Sequence, residues 1–214
     1  MKTSPLFKIH GTRLPDLFTF ADGRCVSSRQ DWLSRRFEIK ALLQDECYGN
    51  MPPPPEGKPF FQVVQPAFQV TGLPSVFCMK YATQPFADSD FRLVFDLYAS
   101  GFEDQSKAYP VILCGDGCWN RVTPEFVGLV TSRGYALAVF DRSTVMPDCP
   151  YQGADATGVP DFETLRDCPL VRRYPEGDFG ALAAWAWGYS RVMDVIEQIP
   201  CLDAGRVTVC GHSR

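Results

Sequence analysis

Hydrophobic residues after position 107 come in short unbroken runs, separated by glycine turns and by two segments of helical spacing. The runs YPVILC, YALAVFD and RVTVC are typical of strands buried on both faces of a parallel sheet. TPEFVGLVTSRG predicts a short helix that Thr123 caps and Gly134 stops, and DFGALAAWAWGYSRVMDVIEQIP predicts a longer helix ended by Pro200. A long loop is expected over residues 142–177. Strands and helices alternate, which predicts a parallel α/β sheet.

The front of the chain has a different pattern. Residues 30–47 place apolar positions at helical spacing and predict one helix, after which MPPPPEGKP predicts a stiff extended connector. FFQVVQPAFQV, which Pro66 interrupts, SVFCMKYAT and DFRLVFDLYAS alternate in hydrophobicity and predict antiparallel strands beside the parallel ones. We therefore expect one domain: residues 1–58 form a lead-in, helix and connector, and residues 59–214 form the sheet with its first crossover helices.

Composition narrows the classes of function. With 21 basic residues against 25 acidic ones and no basic block, the chain is not expected to bind nucleic acid. No apolar run approaches the ~20 residues of a membrane span. MKTSPLFKIHGTRLPDLF lacks the apolar core of a secretory signal, so a cytoplasmic location is expected. The sequence does not indicate an oligomeric state.

The nine cysteines lie mostly in apolar runs and form no CxxC pairs. They are therefore expected as reduced core residues rather than as a disulfide framework. No metal site is expected, because the chain has only two histidines and no second ligand cluster. Nothing near Cys114 or Cys118 in the sequence would lower a thiol pKa, so neither is expected to be a nucleophile.

The candidate chemistry lies in GHSR, directly after the buried run RVTVC. A sharp strand-to-helix turn that lifts a serine above a sheet needs glycine two residues before the serine, as Gly211 stands before Ser213. With the strand order, this predicts an α/β-hydrolase fold (a three-layer sandwich), incomplete here and ending after the strand that carries the nucleophile elbow. A plain glycine turn with a surface serine is the alternative.

A serine nucleophile needs a histidine base and an acid, which follow the serine in this fold. His212 is expected to pack within the turn and His10 to be solvated, so neither is expected to be the base. We therefore expect an N-terminal portion of a longer enzyme, inactive by itself because the triad acid and histidine are absent.

Four segments resemble the glucuronoyl esterases (4-O-methyl-glucuronoyl methylesterases) of carbohydrate esterase family 15. They are LPDLFTFADG, DWLSRRFEIKALLQDECYGNMPPPP, GDFGALAAWAWGYSRVMDVIE and VTVCGHSR. The family's nucleophile motif has Gly, a variable residue, Ser and Arg, and Gly211, Ser213 and Arg214 match it. Position 212 is His where many relatives have Cys. The motif's following Gly-Lys stretch has no counterpart in this sequence.

The resemblance implies that Ser213 is the nucleophile and that Arg214 stabilises the oxyanion. It implies a small carbohydrate ester as substrate, namely esters of (4-O-methyl-)glucuronic acid in hemicellulose- and lignin-derived material. Cleavage would be a two-step acyl transfer without metal or organic cofactor.

Several points stay open at this stage. From the geometry of the fold, residues 115–118 are expected to supply a second oxyanion donor. Trp185 is expected to pack in the core rather than stack on sugar. Substrate-binding residues are not assigned. An acetyl-xylan-type or other carbohydrate esterase, and a non-catalytic uronate-binding or scaffold relative, remain alternatives.

Overall fold

The computed structural model describes residues 16–102, 108–119, 122–148 and 167–212. Contacts along the chain divide it into two compact units, Met1–Asn50 and Met51–Arg214. Within the described ranges, no helix is long and apolar enough to cross a membrane. The same ranges contain no cluster of three or more potential metal ligands.

The first unit is built around helix α1, Arg29–Leu43, which continues as a π-helical turn over Gln44–Tyr48. The predicted helix is confirmed, with its start one residue earlier. Ser28 caps it by accepting a hydrogen bond from the Asp31 N–H at 3.0 Å. The lead-in is tied to α1 because Glu38 accepts from the Ala21 N–H at 3.1 Å and pairs with the buried Arg35.

The second unit contains a six-stranded mixed sheet in the order β1-β2-β3-β5-β4-β6. Its strands are β1 Phe60–Val70, β2 Leu73–Gln84, β3 Leu93–Ala99, β4 Tyr109–Cys114, β5 Ala136–Phe140 and β6 Leu202–Cys210. The pairs from β1 to β5 are antiparallel, and β4 pairs in parallel with both β5 and β6. The change of pattern at residue 107 therefore marks the change from antiparallel to parallel strands, as predicted.

The described residues of this unit also form helices α2 Pro124–Thr131, α3 Pro169–Arg173 and α4 Ala181–Ile196. Successive residues of β4 enter two different hydrophobic clusters, because side chains alternate across a strand. Leu113 joins the large cluster with α4, whereas Cys114 joins the smaller one with α2. The sheet is therefore packed by helices on both faces.

Three expectations about local structure differ from what the structure shows. Pro66 does not break the first β segment, because β1 pairs with β2 alone among the described strands and shifts register around the proline. The expected loop over residues 142–177 contains, in its described parts, a 3₁₀ turn at Arg142–Thr144 and helix α3. Five residues are too few to show helical periodicity. The third parallel strand begins at Leu202 rather than at Arg206.

Helix α4 carries two buried tryptophans. The ring of each packs against other side chains, and the indole N–H of each donates a hydrogen bond to a backbone carbonyl. Trp187 is fully buried and stacks against Phe86 and Phe91, while its Nε1 donates to the Pro53 carbonyl at 3.1 Å. Trp185 is 5% exposed and donates to the Met146 carbonyl at 2.7 Å. The prediction that Trp185 packs in the core is confirmed.

Gly188 permits the close packing of α4 on the sheet, which makes it a sensitive position. A Cβ there would lie 2.8 Å from Val145 Cγ2 and 3.2 Å from Phe140 Cε2, both in fully packed surroundings. We expect Gly188→Ala to lower the free energy of unfolding by about 1–2 kcal/mol, since overpacking outweighs the gain in helix propensity. Urea denaturation measures the difference.

Gly128→Ala in α2 is the matched control. A Cβ at Gly128 meets only the mobile end of Leu73, at 3.3 Å. This substitution is expected to leave stability unchanged or to raise it by up to about 1 kcal/mol through helix propensity. Equal losses from both substitutions would contradict the packing argument.

Candidate functional site

The sequence-predicted residues Ser213 and Arg214 lie outside the described residues, as does His10. The description reaches His212 and therefore includes the supports on which the turn rests. Strand β4 lies between β5 and β6, so the chain leaves β4 on one side and returns on the other. In parallel α/β sheets, such a switch point opens a crevice at the carboxyl ends of the strands, where ligands bind.

The segments that follow β4 and β6 are joined by one buried carboxylate. Asp116 is 2% exposed, and its Oδ2 accepts a hydrogen bond from the His212 backbone N–H at 2.7 Å. Its Oδ1 forms an ion pair with Arg142, which is also 2% exposed and follows β5. All three carboxyl-terminal segments of the parallel strands thus meet at Asp116.

Arg142 is held by four different contacts. Its backbone N–H donates to the Gly115 carbonyl at 3.1 Å. Its guanidinium lies 3.5 Å from Asp148 Oδ2 and 4.7 Å from the ring centre of Trp185. Removing one partner of a buried ion pair leaves the other charge uncompensated in a low-dielectric interior, which is strongly unfavourable. The site therefore depends on Asp116 and Arg142 together.

Tyr189 of α4 makes a second link between β4 and β6. Its hydroxyl accepts from the Gly115 N–H at 2.7 Å and donates to the Cys210 carbonyl at 3.2 Å. Burial raises the pKa of Tyr189, so the hydroxyl keeps the proton that it donates. Its ring packs edge-on against Phe140 with the centroids 4.9 Å apart.

These contacts bear on which backbone N–H group within residues 115–118 could be the expected second oxyanion donor. The Gly115 N–H is already bonded to the Tyr189 hydroxyl and is therefore not available to a substrate oxygen. The loop turns there as a 3₁₀ helix over Gly117–Trp119. A Cβ on Gly117 would lie 2.9 Å from the Phe140 carbonyl oxygen, so the loop can approach β5 this closely only with glycine.

His212 behaves differently from the expectation. We predicted that its side chain packs within the turn, but the residue is exposed among the described residues. What the structure fixes is its backbone, through the bond to Asp116.

Cys114 and Cys118 have different surroundings. Burial raises the pKa of Cys118 to about 11, as expected of a thiol without nearby activation. The interaction with the Cys210 thiol and the charge of Arg142 lower the pKa of Cys114, which the sequence analysis did not expect. The sequence could not show this, since Cys210 and Arg142 reach Cys114 only through the sheet.

Comparison with known proteins gives one family throughout. The family model "Glucuronyl esterase, fungi" matches residues 170–214. A 4-O-methyl-glucuronoyl methylesterase of Schizophyllum commune is 30% identical over 205 residues, covering 94% of this chain and 44% of that protein. The corresponding enzyme of Cerrena unicolor is 26% identical, with 96% and 38% covered. This chain thus spans less than half of these curated relatives.

Solved structures agree with the sequence relatives. A glucuronoyl esterase from Solibacter usitatus matches with a TM-score of 0.73 and 24% identity, over 97% of this chain and 59% of that one. A family 15 glucuronoyl esterase from Caldicellulosiruptor kristjansonii matches with a TM-score of 0.57 and 27% identity, over 97% and 51%. The described fold therefore matches about half of each of these two enzymes.

We expect Asp116→Asn to lower the free energy of unfolding by about 3 kcal/mol, because Arg142 loses a buried counter-charge. Asp88→Asn is the matched control, since Asp88 pairs with Arg173 at 2.9 Å on the surface, where such pairs are worth about 0–1 kcal/mol. Urea denaturation of both variants measures the contrast. Equal small effects would show that the Asp116 charge does not stabilise the fold.

Tyr189→Phe removes only the hydroxyl, so it tests the link to Gly115 and Cys210 directly. We expect a loss of about 1–3 kcal/mol and faster hydrogen exchange of the Gly115 amide, because two buried backbone groups lose their partner. Tyr109→Phe is the control, as its hydroxyl pairs with the Ser100 hydroxyl at 3.2 Å and with neither Gly115 nor Cys210. Unchanged Gly115 exchange would contradict the assignment.

Proposed function

We propose that the protein is a serine carboxylic-ester hydrolase, because this chain is a homologue of the glucuronoyl esterases of carbohydrate esterase family 15 over less than half the length of its curated relatives. The proposed substrates are esters of (4-O-methyl-)glucuronic acid. One structural observation carries the proposal. The residue before Ser213 is fixed by a buried carboxylate at the switch point of the sheet, where a hydrolase presents its nucleophile.

We further propose that the mixed sheet is the first part of an α/β-hydrolase sheet. In that fold the nucleophile follows a parallel strand and precedes a helix, and β6 is the strand in that position. The likeness to the Solibacter usitatus enzyme supports this assignment. Residues 1–214 would then contribute to a single hydrolase domain, with residues 1–58 leading into the sheet.

In the proposed reaction, the Ser213 hydroxyl oxygen attacks the ester carbonyl and the alcohol leaves. Water then cleaves the glucuronoyl-serine intermediate. In this proposal the Arg214 backbone N–H donates to the tetrahedral oxyanion, and the Arg214 guanidinium adds a permanent positive charge. Removal of one such donor commonly costs ~3–4 kcal/mol of transition-state stabilisation. The base and acid of the triad follow the serine along the chain in this fold.

The described residues would contribute by holding the turn and the loop in position before the substrate arrives. Asp116 holds the backbone of His212, and Tyr189 holds Gly115 and Cys210. Donors that are already oriented need no reorganisation when charge develops on the substrate oxygen. Asp116 and Tyr189 are therefore positioning residues in this proposal and do not touch the substrate.

The substrate class comes from the relatives. A glucuronoyl esterase mutant from Sporotrichum thermophile was solved in complex with methyl 4-O-methyl-β-D-glucopyranuronate. We propose the same class of uronate ester for this protein.

Activity on a benzyl or methyl glucuronate ester, compared with acetylated xylan, tests the proposal in the full-length protein. We expect hydrolysis of the glucuronate ester that Ser213→Ala abolishes. Arg214→Ala is expected to lower kcat by about 10²–10³ with a much smaller rise in KM, because the oxyanion exists only along the reaction path.

Arg206→Ala is the matched control, since Arg206 is an exposed arginine of β6 that pairs with Asp203. It is expected to leave kcat unchanged. If Arg214→Ala raises KM while kcat holds, Arg214 binds the substrate in its ground state and the oxyanion role is wrong. A preference for acetylated xylan would show that the protein is an acetyl-xylan-type esterase and would contradict the proposed glucuronate ester substrates.

A further inference from the structure

Two cysteines stand side by side beneath the switch point. Cys114 is the last residue of β4, Cys210 is the last residue of β6, and the two are direct partners in the parallel register. Partners in a parallel pair extend their side chains from the same face of the sheet. Both belong to the smaller hydrophobic cluster, on the side of α2.

The spacing suits a bond between the two sulfur atoms. Neighbouring strands lie about 4.7–4.9 Å apart. Disulfides join residues whose Cα atoms are about 4.4–6.8 Å apart. Oxidation of this pair therefore does not require the strands to separate or to slide.

The surroundings favour the thiolate at one of the two positions. The interaction with the neighbouring Cys210 thiol and the charge of Arg142 both lower the pKa of Cys114. Burial instead raises the pKa of Cys78 to about 12 and that of Cys118 to about 11. Because thiolates are the reactive form, Cys114 is set apart from these other buried cysteines.

We propose that Cys114 and Cys210 are a redox-active pair, which a hydroperoxide converts to a reversible disulfide between β4 and β6. Cys114 is 4% exposed and Cys210 is half-buried, so a small oxidant suits the site better than a bulky one. This inference is independent of the proposed ester hydrolysis.

The reaction balances in two steps. The Cys114 thiol gives up its proton and the thiolate attacks one oxygen of hydrogen peroxide. The O–O bond breaks, hydroxide leaves with the electron pair and takes up that proton as water, and Cys114 is left as a sulfenic acid. The Cys210 thiol loses its proton and attacks the Cys114 sulfur; the S–O bond breaks and hydroxide takes up that proton as water. Two thiols are oxidised and one peroxide is reduced to two waters. A thiol reductant reverses the bond by exchange.

The disulfide would act directly on the supports of the turn. The carbonyl of Cys210 accepts the Tyr189 hydroxyl, and Gly115, which follows Cys114, donates to the same hydroxyl. A bond between the side chains of these neighbours fixes the distance that Tyr189 spans. The redox state of the pair is thereby coupled to the position of the loop and of the Gly211–His212 turn.

Peptide mapping of the full chain tests the pair without any activity assay. Reduced protein is treated with hydrogen peroxide, free thiols are blocked with iodoacetamide, and the product is digested with trypsin and Asp-N. Cleavage before Asp116 separates Cys114 from Cys118. The expected product is AYPVILCG joined to VTVCGHSR, two hydrogens lighter than the reduced peptides together and absent after treatment with dithiothreitol.

Cys210→Ser and Cys118→Ser form the matched comparison. Cys210→Ser should remove the linked peptide and leave Cys114 as a sulfenic acid that dimedone traps, whereas Cys118→Ser should leave the link in place. Linkage of Cys114 to another cysteine would overturn the proposal. The exposed Cys25 and Cys47 report whether the peroxide treatment has worked. If they are oxidised in the wild-type protein while Cys114 is unmodified, the proposal is also overturned.

Discussion

The ion pair between Asp116 and Arg142 is the interaction on which the rest of the site depends. Both side chains are almost fully buried, and each belongs to a segment that follows a different parallel strand. Desolvating two charges is costly unless each finds good partners. Asp116 finds a further donor in the His212 N–H, and Arg142 finds Asp148 and the Trp185 ring. Because burying the two charges is unfavourable without these partners, the ion pair is stable only when the parallel strands, the loop after β4 and the Gly211–His212 turn are all in place.

The sheet could be predicted largely because its signal is local. Consecutive residues carry this signal, as continuous apolar runs in β4, β5 and β6 and as alternating hydrophobicity in β2 and β3. Pairing with other strands did not change the type of structure that these segments form. Thr123 and Gly134 likewise bound α2 by local backbone chemistry: Thr123 accepts from the Phe126 N–H, and Gly134 has a φ of 79°. Where tertiary context decided, prediction was wrong, as with Pro66 on an edge strand and the five-residue helix α3.

The supports of the site could not be predicted for the opposite reason. Asp116 and His212 are 96 residues apart, and Tyr189 lies 74 residues from Gly115. In the sequence, Asp116 is one acidic residue of a glycine loop and Tyr189 is one apolar position of an amphipathic helix. The local motif around Ser213 could be recognised without them, because it reflects the backbone geometry of one turn. Its supports become visible only when the sheet brings the strand ends together.

The pairing of β4 with β6 also has a consequence for how the protein folds. The two strands are adjacent in space but are separated along the chain by β5 and the helices α2, α3 and α4, so their contacts have a high sequence separation. Closing so long a loop costs chain entropy before any contact rewards it, which makes such pairings slow. The segment that precedes Ser213 is therefore expected to dock after the local hairpins β1–β2 and β2–β3 have formed. Contacts made after the folding transition state govern the rate of unfolding rather than the rate of folding. Asp116 and Tyr189 would then set how long the assembled turn persists once it has formed.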